Sequence, residues 1–261
     1  MSLDQPTDFV KHQTVTRDAF LGGRLTVSQP RNGFRAGLDS VLLGAAVPAG
    51  VQDLLDLGAG VGTAGLVAMA LASGLKADLA ERDEANCALA EVNVAENGFL
   101  GRAKVLRADV AAPASARRDA GIGDNAYDVV IANPPFFAEG RGTQAADRRR
   151  ADARHMESTS LDLWVRCAAA SARAGGTAIM IYPAQGLAEL LEAFAGRFGA
   201  ITILPLAPRP GMAASRVLIR GLKGSRAPLT LLSARPMHGE EGNGFLPAFD
   251  TIFRGGGALD W

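Results

Sequence analysis

Five short apolar runs alternating with helix-patterned stretches constrain this chain more than any other feature. The runs fall at 53–57, 76–81, 103–108, 127–133 and 176–183, and helical patterns at 63–73, 84–97, 160–173 and 186–197. Strands interleaved with helices cannot be joined by tight hairpins; they lie parallel, with the crossovers covering both faces of one sheet. A short helix at 38–46 precedes the first run. Two later runs, at 200–207 and 215–223, are separated by a Pro/Gly loop too short for a helix, so they pair antiparallel and finish one edge. The expected fold is therefore α/β, with a seven-stranded, mostly parallel sheet and an antiparallel final strand. Residues 1–37 read as an irregular N-terminal arm, 38–232 as the domain, and 233–261 as a C-terminal tail whose Phe245, Phe249, Phe253 and Trp261 can dock on the body.

A chain of 261 residues can bury the core such a domain needs. Its net charge is zero, so affinity for a polyanion has to come from local patches. Two candidates exist. No acidic residue interrupts Ala193 to Gly239, which carries Arg197, Arg209, Arg216, Arg220, Lys223, Arg226 and Arg235; a second group is Arg141, Arg148, Arg149, Arg150 and Arg154. The two cysteines, Cys87 and Cys167, have neither metal-site nor disulfide spacing, which fits a reduced cytoplasmic setting. The N-terminus lacks a charged-then-apolar signal pattern. Gly58 to Leu75 is an uncharged run of 18 residues, but five are glycine and its first third is a turn, so a membrane helix is rejected.

The stretch "LLDLGAGVGTAG" (54–65) runs from strand through Asp56, Gly58, Gly60 and Gly62 into a helix. Glycines at such a bend let backbone amides approach a ligand, and the helix N-terminus adds positive potential. Glu81 ends the next strand, where a carboxylate can accept hydrogen bonds from ribose hydroxyls. The layout is Rossmann-like, and Gly60-Val-Gly62-Thr-Ala-Gly65 also fits the dinucleotide fingerprint, so a nicotinamide-dependent oxidoreductase stays open. Two carboxylates favour S-adenosylmethionine instead. Asp56 can receive an ammonium and would repel a pyrophosphate, and Asp109 can accept from an adenine amino group.

Strand 127–133 then delivers Asn133-Pro134-Pro135-Phe136 to the carboxyl edge of the sheet, where doubly wound folds bind ligands. An amino group conjugated to a ring is a poor nucleophile because its lone pair is delocalised. The Asn133 side-chain oxygen and the Pro134 carbonyl can each accept an amino hydrogen, and the prolines fix those acceptors in advance. Phe136 offers a face on which a base can stack. No general base is needed, and the three histidines, His12, His155 and His238, read as surface or structural residues. No metal is implied.

"LDLGAGVGTAG", "AERD", "RADV" and "NPPF", in this order, resemble the class I S-adenosylmethionine-dependent methyltransferases that modify amino groups. The flanking "GFRAGLDSVLLGA" (33–45), "ARHMESTSLDLWVRCAA" (153–169) and "SRVLIRGLKGS" (215–225) are similar to the bacterial tRNA(Val) adenine-37 N6-methyltransferase family and its small-methyltransferase-domain relatives. The resemblance implies S-adenosylmethionine as cofactor and a tRNA partner met through the basic patches. It implies that Arg35, Gly37 and Asp39 help close the cofactor end, and that Asn133 to Phe136 hold the target base. Phe136 stands where the family often has Tyr, and Met156 where an acidic residue is common. Other acceptors (rRNA or DNA adenine, protein glutamine, a small molecule, or a hydroxyl) and an RNA-binding module without turnover are the alternatives. Oligomeric state is unassigned.

Overall fold

The computed structural model describes residues 15–32, 35–136 and 161–261. One sheet organises the body, built from β3 (Asp53–Leu57), β4 (Lys76–Glu81), β5 (Ala103–Arg107), β6 (Tyr127–Ala132), β7 (Ala172–Pro183), β8 (Phe198–Ala207) and β9 (Arg216–Lys223), in the spatial order β8-β9-β7-β6-β3-β4-β5. All neighbours are parallel except β9, which runs antiparallel to both β7 and β8. The final pair thus completes the sheet as the short 208–215 link requires, but the strand at the outside is β8. The crossover from β7 to β8 leaves a slot that β9 fills. Two-residue strands, β10 (Thr230–Leu231) and β11 (Arg235–Pro236), then add in parallel along the outer edge of β8.

Strand alternation sends side chains to two separate core layers. Leu54, Leu79, Ile131 and Ile179 face a layer with α1 (Leu38–Ala45) and α2 (Thr63–Leu71). Leu55, Val130, Ala132 and Met180 face the other, with the helix α5 (161–171) and α6 (Leu187–Ala195). Each fully buried aliphatic side chain contributes about 1.5–3 kcal/mol, so the double-sided burial of β3 and β6 fixes their register. The helix α4 (Ala114–Asp119) was not expected from the pattern. The helix α3 (Glu84–Glu96) was: the Asp83 carboxylate caps it by accepting the Asn86 amide at 2.9 Å, and Gly98 closes it at φ +75°.

Residues 15–30 differ from the irregular arm that the sequence suggested. They form an antiparallel hairpin, β1 (Val15–Phe20) and β2 (Leu25–Pro30), outside the main sheet. Its free edge is met by α3 through side-chain amides. Asn97 accepts from the Thr26 amide at 3.0 Å and donates to the Thr26 carbonyl at 2.8 Å. Asn93 treats Ser28 in the same way, at 2.7 and 3.0 Å. Four residues along a helix rise about 6 Å and two along a strand about 6.6–6.8 Å, so the spacings match and the helix imitates a third strand.

Beyond β11, α7 (Pro247–Phe253) packs Phe249 and Ile252 into the α1 layer. The chain end follows it: the Leu259 amide donates to Ala45 at 2.8 Å and the Trp261 indole donates to Ala46 at 3.0 Å. Among the described residues no helix is long and apolar enough to cross a membrane.

Candidate functional site

Between β3 and α2 the chain turns through Gly58, Gly60 and Gly62, all at positive φ (+65°, +57° and +88°). The turn therefore excludes most side chains, and two of its glycines have opposite surroundings. At Gly58 a Cβ would enter the Trp164 ring of α5, whereas at Gly60 the corresponding space is open. Trp164 seals the back of the loop and leaves its Gly60 side to a ligand.

Asp56 lies beneath this loop at 2% exposure, and its Oδ2 accepts the Gly65 amide of α2 at 2.9 Å. Burial pushes its pKa up to about 7; the Gly65 amide opposes the rise and the nearby Glu81 charge adds to it. Glu81 is also buried, and backbone amides fix both its oxygens: Gly60 on Oε2 at 2.9 Å, Arg82 and Asp83 on Oε1 at 2.8 Å each. Asp109 is exposed just past β5, with Oδ1 accepting the Ala111 amide at 2.8 Å, and borders a shallow pocket with Arg82 and Arg107. Three carboxylates thus follow one another across the ends of three adjacent strands.

A cavity opens beside the loop, lined by Asp56, Gly58, Gly60, Ser40, Gln29 and Asn133 among others. The structure therefore brings Asn133, at the end of β6, to the glycine loop. Pro134 behind it is buried and Pro135 exposed. Phe136 is 37% exposed and meets Tyr182 of β7 in a T-shaped contact, at 5.6 Å between centroids and 87° between planes.

Arg35, Gly37 and Asp39 sit beside the cavity and do not line it. Arg35 binds the hairpin, donating to Thr16 at 2.8 Å, to the Pro30 carbonyl at 3.0 Å and to Asp18 at 2.6 Å. The Gly37 carbonyl starts α1 by accepting from Ser40 and Val41, and Asp39 pairs with Arg216 Nε at 2.8 Å. Together they hold the segment that brings Ser40 and Ala36 to the wall.

Gln29 and Tyr182 carry no motif that marks them, and Ser40 and Trp164 lie inside the flanking segments 33–45 and 153–169 without standing out there as site residues. Gln29 is buried and its amide both accepts from Ala36 N–H at 2.8 Å and donates to Asp18 at 2.9 Å, a partnership only the hairpin explains.

The acid-free stretch behaves differently from its sequence. Arg197 pairs with Asp162, Arg209 donates to the carbonyls of Gly239, Glu240 and Gly242, Lys223 to Asn125 and Ala172, and Arg235 to Asp260. Arg216 holds Asp39, and Arg220 lies over the Trp261 ring at 4.6 Å. Most of these cations thus bind the protein itself. The second basic group, 141–154, lies outside the described residues, as does Met156. Among the described residues no three His, Cys, Asp or Glu side chains gather as a metal site, and Cys87 and Cys167 are free and buried.

A parallel sheet with one antiparallel strand in its second-to-last slot, a glycine loop after its central strand and acidic strand ends define the class I methyltransferase fold. The family model for the methyltransferase small domain matches residues 38–165. The chain belongs to this small-domain methyltransferase family. A relative from Serratia proteamaculans, a tRNA1(Val) (adenine(37)-N6)-methyltransferase, is 32% identical over 71% of this chain and 69% of its own length. One of the same name from Klebsiella pneumoniae is 34% identical over 59% of this chain, and the match spans only 61% of that relative. Among solved structures, an Agrobacterium tumefaciens protein described as a predicted O-methyltransferase is 32% identical, with a TM-score of 0.73 over 85% of this chain and 98% of its own. The Thermus thermophilus 16S rRNA N2 G1207 methyltransferase has the same fold, at 20% identity and a TM-score of 0.54 over 80% of this chain and 50% of its own.

Proposed function

We propose that this chain is a cytoplasmic S-adenosylmethionine-dependent methyltransferase that methylates the N6 amino group of an adenine in tRNA by direct transfer. The observation that carries the reading is the meeting of Asn133 with the glycine loop in one cavity. The tRNA1(Val) adenine-37 N6-methyltransferase relatives support the acceptor.

The residues present fit the cofactor. Open space at Gly60 admits a ligand against the backbone, and the Asp56, Glu81 and Asp109 series matches an ammonium, a ribose diol and an adenine amino group in sequence. The same acidic series disfavours a dinucleotide pyrophosphate. When bound, S-adenosylmethionine supplies an electrophilic methyl on its sulfonium. The chain's own part is to present the acceptor. Asn133 Oδ1 and the Pro134 carbonyl accept the amino hydrogens, turning the nitrogen lone pair outward and stabilising positive charge as it develops. Phe136, exposed at the mouth of the site and held by the T-shaped contact with Tyr182, stacks on the base.

The test is incubation with radiolabelled S-adenosylmethionine and total small RNA from the host, followed by digestion to nucleosides. Label in N6-methyladenosine is the expected result. Cofactor binding without labelled nucleoside would overturn the RNA acceptor, and label in an RNA-free extract would move the assignment to a protein or small-molecule amine or hydroxyl.

A further inference from the structure

Asn93 joins the two walls of the cofactor cavity from behind. Its side chain is fully buried in α3 and makes three hydrogen bonds: Oδ1 accepts from the Ser28 amide at 2.7 Å, and Nδ2 donates to the Ser28 carbonyl at 3.0 Å and to the Val61 carbonyl at 2.9 Å. Ser28 belongs to the hairpin and precedes Gln29, which lines the cavity; Val61 lies inside the glycine loop and lines the cavity too. One amide thus hydrogen-bonds hairpin to loop, beside the apolar cluster of Val27, Val61 and Leu89 that packs the same two walls. Its neighbour Asn97 provides an internal control. Asn97 grips Thr26 in the same two-way manner, but its second Nδ2 bond goes to the Asn93 carbonyl of its own helix at 2.7 Å and does not reach the loop.

We propose that Asn93 is a positioning residue for cofactor binding, making the hairpin and the glycine loop a single binding unit. The proposal rests on the reading of this cavity as the S-adenosylmethionine site. A buried amide with three of its four hydrogen-bonding positions filled has one geometry, so loop and strand cannot shift independently without breaking one of those bonds. Loss of the clamp acts on affinity and spares the reacting groups, since neither Asn133 nor Phe136 touches it.

Asn93→Ala is expected to raise the KM for S-adenosylmethionine and the Kd for S-adenosylhomocysteine at least about tenfold, with kcat at saturating cofactor within about threefold of the parent. Asn97→Ala is expected to lower the Tm comparably and leave both constants within about threefold. Equal losses of affinity in the two variants, or unchanged affinity in Asn93→Ala, would overturn the proposal. Should Asn93→Ala fail to fold, hydrogen exchange on the unaltered chain decides: S-adenosylhomocysteine should slow exchange in 25–30 together with 58–62, and protection of the loop alone would refute the coupling. Absence of any S-adenosylhomocysteine binding by the unaltered chain would overturn the cofactor reading and this proposal with it.

Discussion

Under the proposed function, the cofactor side and the acceptor side of the cavity are built on different plans. On the cofactor side nearly every polar group is already bonded to backbone: Asp56 to Gly65, Glu81 to three amides, Asn93 to Ser28 and Val61. The acceptor side has Asn133 after a buried strand, two prolines and one ring resting on Tyr182. A small ligand of fixed chemistry is matched best by a site whose geometry exists beforehand, because ordering costs then fall on neither partner. A large acceptor brings contacts of its own, so the chain need only fix the two or three atoms that meet the reacting amino group. The difference also separates where mutations should act: on affinity for the cofactor on one side, on turnover and acceptor affinity on the other.

The largest effect should come from Asn133→Ala, which is expected to lower kcat about 100- to 1,000-fold, the loss typical of one transition-state hydrogen-bonding partner, with S-adenosylhomocysteine affinity nearly unchanged in a calorimetric titration. A comparable fall in that affinity would break the division between the two sides. Gly58→Ala comes next: the new methyl enters the Trp164 ring at a residue with φ +65°, so left-handed strain and overpacking should together cost about 2–5 kcal/mol in thermal or denaturant unfolding, along with cofactor affinity. Phe136→Ala should weaken RNA binding by about 1–3 kcal/mol, visible as a higher KM for RNA, while Phe136→Tyr should behave like the parent.

A smaller effect, and the one that probes burial most directly, is pH. Asp56 has its pKa pushed up to about 7, and an ammonium beside it favours the charged form, so binding releases a proton below that pH. Cofactor affinity should rise up to about tenfold per pH unit toward 7 and level off above it, a dependence that Asp56→Asn should flatten. The stability sign is opposite. The folded chain holds this proton more tightly than the unfolded one, so the contribution is fully present below the ordinary aspartate range and declines as pH climbs to about 7.

The sheet and its loop could be read from the chain because their signals are local. Strand and helix periodicity and the run from Asp56 to Gly62 each depend on neighbours in sequence, and the strand order then carried Asn133 to the loop. What was hidden depends on partners far along the chain. The hairpin pairs with itself and with two asparagines 65 and 71 residues away, so its short strands lack the setting of a main-sheet strand. Trp164 and Tyr182 look like ordinary core residues until the glycine loop and Phe136 are placed against them. Charge misled for a related reason: a run without acids looks like a polyanion surface, but carbonyls and distant carboxylates from 39, 162 and 239–242 meet its cations.

The place of β9 between β7 and β8 has a consequence for the order in which the chain can be completed during synthesis. When Pro183 has been made, the apolar β7 has one finished neighbour, β6, and its other edge is open; β8 follows but cannot pair there, because the slot belongs to a strand that has not yet been translated. At about 5–20 residues per second, the stretch to Lys223 takes about 2–8 s. Throughout that interval a buried strand of the finished protein is an unpaired edge, so the nascent chain is most vulnerable to association with its neighbours on the polysome just before its last long strand locks the sheet.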